Sequence, residues 1–215
     1  MTEKKKLILG IILFGSIWGG LEALGIDVMR TVGFHTSSPV LALFGILILA
    51  TARMIIRKPG STLAIGVIAA GFKFLGLSQV FFCQIFAVVA QAAVFDLAFS
   101  LAERKDWLTR PIYLGLVGLV GSYVNYAVFS LSQAYVFANP YWTERGLSGL
   151  FSWVFTDGSY AAILSFLGII VGVNLGRKVA PVVTRWQAIG EKAYSRGVLV
   201  ASLGFWLLGV FAYRF

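Results

Sequence analysis

Long apolar runs, each ended by a short polar or proline-bearing break, repeat along this chain from end to end. Seven of them stand out, at residues 7–26, 38–56, 61–79, 81–102, 111–138, 149–176 and 197–213. A helix needs about 17–25 mostly apolar residues to cross roughly 30 Å of hydrocarbon, the longer ones tilting or projecting. The pattern therefore predicts an all-α polytopic transmembrane bundle of six to seven spans. Pro39, Pro59, Pro111 and Pro181 fall at block ends, where a missing N–H costs little, and Asn139–Pro140 closes the fifth block. The weakest break is the tight, uncharged turn at Gly76–Gln79. A single kinked helix would remove it, but the run from Ser61 to Ala102 is too long for one crossing.

Composition agrees with this reading. The chain is 59% hydrophobic and 13% charged, about half the charged share of a soluble domain. The spans and their loops use all 215 residues as a single membrane domain and leave no room for a soluble catalytic one. The net charge of +9 is explained by its distribution. With the N-terminus inside, fourteen basic residues fall in cytoplasmic segments and three (Arg30, Arg145, Arg214) in outer ones, Lys73 set aside. Such an asymmetry predicts a cytoplasmic N-terminus and an outer C-terminus. It also accounts for the basicity without nucleic acid, for which no basic stripe or stacking module exists. Lys4–Lys6, the apolar run and the Ala23-x-Gly25 pair loosely mimic a signal peptide, but Glu22 and the length of the run favour a retained helix. Cys83 is the sole cysteine, so no intrachain disulfide forms.

Against this apolar background the ionisable residues are informative, because each costs roughly 2.5–3.5 kcal/mol in hydrocarbon even on lenient scales. Glu22, Lys73 and Asp157 all fall toward the outer ends of their helices, as do Gln84 and Gln133. An acid–base–acid cluster of Glu22, Lys73 and Asp157 would orient a small polar ligand in an outward pocket, with spare negative charge for an amine. The alternative is that Lys73 merely neutralises one acid while the other reaches the interface. Trp18, Gln84, Tyr126 and Trp153 are lesser ligand candidates, since Trp and Tyr favour the interface in any membrane protein. Asp96, near the basic end of its helix, is expected to pair with Arg104, Lys105 or another cytoplasmic base. His35 is the only histidine, which excludes a histidine-rich metal site, and no hydrolase, nucleotide or cysteine-pair motif is present. An Asp96–Asp157 dyad is disfavoured by depth. No enzyme, cofactor or metal is expected.

Small residues form rows at helical spacing: Gly15 and Gly19, Gly66 and Ala70, and Gly168, Gly172 and Gly176. In lipid such rows let backbones approach closely. They serve either internal packing or docking of another membrane subunit, and Gly15, Gly19, Gly168, Gly172 and Gly176 are the candidate subunit contacts.

Compact spans, an outward polar pocket and the small-residue stretch from Phe14 to Ala23 together resemble the substrate-binding S component of energy-coupling factor transporters. That resemblance implies a binding protein of a prokaryotic cytoplasmic membrane rather than an enzyme. It implies capture of a small polar solute from the outer side, with a membrane scaffold subunit and a pair of ATPases as partners. Its scaffold contact would involve the small face around Gly15 and Gly19. The rival reading is a structural subunit of a larger membrane complex of respiratory or photosynthetic type, its glycine rows used for packing and every buried charge paired.

Overall fold

The structure, a computed structural model, describes residues 1–31, 38–75 and 82–214. These form helices α1 (Glu3–Thr31), α2 (Ser38–Ile56), α3 (Ser61–Gly71), α4 (Phe82–Arg104), α5 (Pro111–Leu131), α6 (Pro140–Thr143), α7 (Gly146–Phe155), α8 (Asp157–Ile189) and α9 (Glu191–Arg214). No strand occurs among the described residues. Six stretches are long and apolar enough to cross a membrane: Glu3–Ile26, Ser38–Ile56, Phe82–Arg104, Pro111–Val136, Gly146–Ile189 and Glu191–Ala212. The chain is thus an all-α integral membrane bundle. The predicted breaks at Gly76–Gln79 and around His35 lie outside the described residues.

Two blocks differ from their sequence-based outlines. The third, Ser61–Leu75, is the shortest: after Gly71 it tightens into a 3₁₀ turn at Phe72–Leu75. The sixth is broken and longer than expected. Its chain kinks at Thr156, whose backbone leaves the helical region (φ −102°, ψ −82°) while its hydroxyl donates to the Ser152 carbonyl at 2.8 Å. From Asp157 the 33 residues of α8 then run through Pro181, a length of about 50 Å, well beyond the hydrocarbon core. Pro181 ought to end a helix. Here the carbonyl it deprives of an N–H belongs to exposed Arg177, where solvent can replace the bond.

Around the bundle, α1 packs on α3, α3 on α4, α4 on α5, α5 on α8, α8 on α2 and α2 back on α1. This closed ring surrounds the largest apolar cluster, built on Trp18, Ile46, Leu49, Ile65, Phe95, Phe99, Ile169 and Val173. Outside the ring, α9 lies chiefly against α1. The most extensive contact joins α2 to α8, and the glycine row of α8 makes it. A Cβ on Gly168 would come 2.6 Å from Leu43, on Gly172 2.7 Å from the Leu47 carbonyl, and on Gly176 2.6 Å from the Thr51 carbonyl. Thr51 Oγ1 in turn donates to the Gly172 carbonyl at 3.1 Å. The expectation of subunit contact at Gly168, Gly172 and Gly176 therefore gives way to internal packing, since that face is already filled by α2.

At one end of the ring a buried ionic cluster gives Asp96 the basic partner expected of it, and that base is Arg53 rather than Arg104 or Lys105. Arg53 has no exposed surface. Its guanidinium grips Glu103 through Nε at 2.8 Å and Nη2 at 2.7 Å, and donates to Ser100 Oγ at 3.0 Å and the Lys58 carbonyl at 2.6 Å. Asp96 lies 3.4 Å from the same guanidinium. Its carboxylate also accepts from the backbone of Gly60 at 2.8 Å and Thr62 at 3.2 Å, and from the Thr62 hydroxyl. Asp96 is thus the anionic cap of α3, satisfying amides that the first turn of any helix leaves orphaned.

Gly172→Ala forces a methyl into the α2–α8 seam and is expected to cost about 1–3 kcal/mol. Gly197→Ala, on α9 where nothing lies within 4 Å, serves as the control. Thermal unfolding in detergent should show a drop for the first and none for the second. Equal behaviour of the two would refute the tight seam.

Candidate functional site

At the opposite end of the ring from Arg53 the helices enclose a cavity of about 380 Å³, within the range of small-molecule sites. Glu22 comes from α1, Ser38 from α2, Lys73 from the 3₁₀ turn, Gln84 and Gln91 from α4, and Asn125 and Tyr126 from α5. Phe129, Trp142 and Trp153 add an aromatic side, and Ile26, Leu41, Ala87 and Val88 supply apolar wall.

Its charged element is a single ion pair. Lys73 Nζ lies 2.6 Å from Glu22 Oε1, with the two side chains 4% and 11% exposed. The seam between α1 and α3 brings them together. A Cβ on Gly15 would come 2.6 Å from Ile68, and one on Gly19 would collide with the Phe72 ring. Because those two positions are glycine, α1 lies almost backbone-to-side-chain on α3. One turn further along the same seam Glu22 meets Lys73. The predicted subunit contact at Gly15 and Gly19 is consequently corrected: this face is used inside the chain, to seat the ion pair.

Across the ring, α5, α6 and α7 supply the rings. Tyr126 stacks on Trp153 with centroids 4.6 Å apart, Trp142 meets Trp153 edge-on at 4.8 Å, and Phe129 meets Trp142 edge-on at 5.4 Å. Tyr126 is held at its tip as well, its hydroxyl sharing a 2.6 Å hydrogen bond with Ser38 Oγ. Gly158, where a Cβ would sit 3.3 Å from the Tyr126 ring, gives that ring its room. Gln91 Nε2 donates to the Ala42 carbonyl at 3.0 Å. Asn125 differs. It lines the cavity, is 8% exposed, and its Oδ1 has no hydrogen-bond partner among the described residues. An unmet buried acceptor costs about 1–3 kcal/mol.

Of the residues singled out in the sequence, Glu22, Lys73, Gln84, Tyr126 and Trp153 share this cavity. Trp18 does not line it; the indole is 1% exposed and wedged against Gly45 and Gly66 in the apolar core. Asp157 does not line it either. It opens α8, half-buried, with Thr156 Oγ1 3.5 Å from its carboxylate. The expected acid–base–acid cluster therefore reduces to the Glu22–Lys73 pair, and the spare negative charge for an amine is missing from the lining. Asp96 and Asp157 stand at opposite ends of the ring. Sequence reasoning overlooked Ser38, Asn125 and Trp142. Asn125 could have been found, being an amide in the middle of an otherwise apolar helix. Ser38 and Trp142 carry no such signal, because they lie at segment ends where polar and aromatic residues are ordinary. No group of His, Cys, Asp and Glu among the described residues is arranged to hold a metal ion.

Comparison with protein-family models, with curated proteins and with solved structures gives no match. The chemistry of the cavity is what remains to indicate a function.

Removing one member of a buried ion pair strands the other, at about 3–5 kcal/mol, whereas replacing both is often near neutral. Lys73→Met is accordingly expected to lower stability by the smaller of these values or more, and Glu22→Gln/Lys73→Met to recover most of the loss. Denaturant titration in detergent micelles measures both. A harmless single variant would mean the pair is not formed.

Proposed function

We propose that this chain is the membrane-embedded substrate-capture subunit of a transporter for a small polar solute. The observation that carries this reading is the cavity lining itself, which joins a balanced ion pair, two glutamines and Asn125 to an aromatic side. Such a lining can fix a ligand's polar atoms while the rings cover its flat or apolar face. Because Glu22 and Lys73 cancel each other, the solute is uncharged or carries balanced charges; a bare cation or anion would meet an equal repulsion and attraction. On the positive-inside rule the cavity end faces outward and Arg53 and its neighbours face the cytoplasm. In this role the chain works with a membrane scaffold subunit and ATPases, since it carries no nucleotide-binding motif of its own.

The test is native mass spectrometry of the gently solubilised protein, resolving bound small molecules and bound subunits alike. The expected result is a small polar molecule on the wild type that is lost in Asn125→Leu and in Trp153→Ala, with both variants still folded by thermal unfolding. A ligand-free chain held at fixed stoichiometry in a larger membrane complex, unaffected by either substitution, would overturn the capture role in favour of a structural one.

A further inference from the structure

A second cavity, of about 440 Å³, opens at the Arg53 end of the bundle, between the start of α1, the end of α2, the last turns of α8 and the start of α9. Its character is the reverse of the first. Leu7, Leu13, Phe14, Ile55 and Val183 give it an apolar floor, and its cations are Lys6, Arg57 and Lys58. One carboxylate, Glu3, also lines it, and that group is engaged by Lys6 Nζ at 2.7 Å. Neither Arg57 nor Lys58 pairs with a carboxylate among the described residues.

The turn that presents these two cations is held in place rather than hanging free. Arg57 takes a left-handed backbone conformation (φ 47°), an uncommon one for a non-glycine residue. Its Nε donates to the Met54 carbonyl at 3.2 Å. The Lys58 carbonyl is gripped at 2.6 Å by Arg53, which is fully buried. The ionic cluster that caps α3 therefore also fixes the position of the two unpaired cations at the mouth of an apolar cleft.

From this arrangement we infer that the cleft binds one anionic phospholipid, its phosphate against Arg57 and Lys58 and an acyl chain along Leu7, Leu13 and Phe14. Each part of the lining selects for a part of that ligand. A basic pocket between transmembrane helices is the expected seat of an anionic headgroup. A water-soluble anion has no use for the apolar floor. A zwitterionic lipid brings its own ammonium to a mouth that already holds excess positive charge. The site is independent of the first cavity and of any role in transport.

The test uses the full chain, delipidated in detergent and titrated with phosphatidylglycerol or with phosphatidylcholine of identical acyl chains, read by native mass spectrometry. Wild type should retain the anionic lipid in preference to the zwitterionic one. Arg57→Gln/Lys58→Gln should weaken phosphatidylglycerol about thirtyfold, the effect of two interfacial cations, and leave phosphatidylcholine unchanged. Arg185→Gln/Lys192→Gln removes two cations of the same end that do not line the cleft, and should change neither. If the first double variant fails to fold, Lys58→Gln alone takes its place, its exposed side chain playing no part in the Arg53 contact. Equal retention of both lipids by the wild type, or equal losses in the cleft and control variants, would overturn the inference in favour of diffuse surface charge. Displacement of phosphatidylglycerol by an equal concentration of inorganic phosphate would overturn it in favour of a soluble anion.

Discussion

The need to satisfy charge and backbone polarity where no water is present governs this molecule from one end to the other. It is most visible at α3. This short helix is tied at its start by Asp96, which caps its amides and is itself held by Arg53, and at its finish by Lys73 against Glu22. The first tie is a set of hydrogen bonds to a carboxylate and the second an ion pair, and both join this segment to a neighbour in the ring. The two cavities lie at these two ties. One cavity opens beside Lys73, and the other beside the Lys58 carbonyl that Arg53 holds.

Ion pairs of this kind need close backbones, and the glycines supply them. On α1, Gly15 and Gly19 let Ile68 and Phe72 settle into the helix surface, so that the next turn delivers Glu22 to Lys73. On α8, Gly168, Gly172 and Gly176 do the same for α2, closing the ring. Without an aqueous hydrophobic effect between helices, close van der Waals packing is the main source of such adhesion. A residue larger than glycine at Gly19 would hold α1 away from Phe72 and carry Glu22 with it. Packing and electrostatics are in this sense one device: the seam sets the distance, and the distance makes the charge tolerable.

Much of this was legible in the sequence, for a physical reason. Apolar length is a strong signal in a chain that must cross hydrocarbon, so the all-α bundle and its segments follow from it directly. Intramembrane charge is equally loud, and Glu22 and Lys73 stand out without any structure. What stayed hidden depends on helix rotation and on how the helices are arranged around the ring. Asp157 shares the expected level with Glu22 and Lys73 yet misses the cavity lining, and Trp18 turns inward to the core. Arg53 was the most misleading residue. It reads as one more cytoplasmic cation in a positive-inside count, but it is wholly buried and partners Asp96 and Glu103. Charge counted along a sequence says which end of a helix is basic, not which bases are already used.

That distinction bears on function at both ends. Once Arg53 is assigned to Asp96 and Glu103, and Lys6 to Glu3, Arg57 and Lys58 are the lining cations of the second cavity that remain unpaired. Once Lys73 is assigned to Glu22, the first cavity carries no surplus charge, and the rest of its polar and aromatic lining is Asn125, the glutamines, Ser38 and the stacked rings. The same rule therefore yields opposite sites. On the readings proposed above, complete pairing at one end would leave hydrogen bonds and aromatic faces to choose a neutral or balanced solute, while incomplete pairing at the other would leave a field that favours an anion. Because the Arg53 cluster and the Glu22–Lys73 pair hold opposite ends of one short helical segment, the geometry of each cavity is fixed by interactions that lie outside the other.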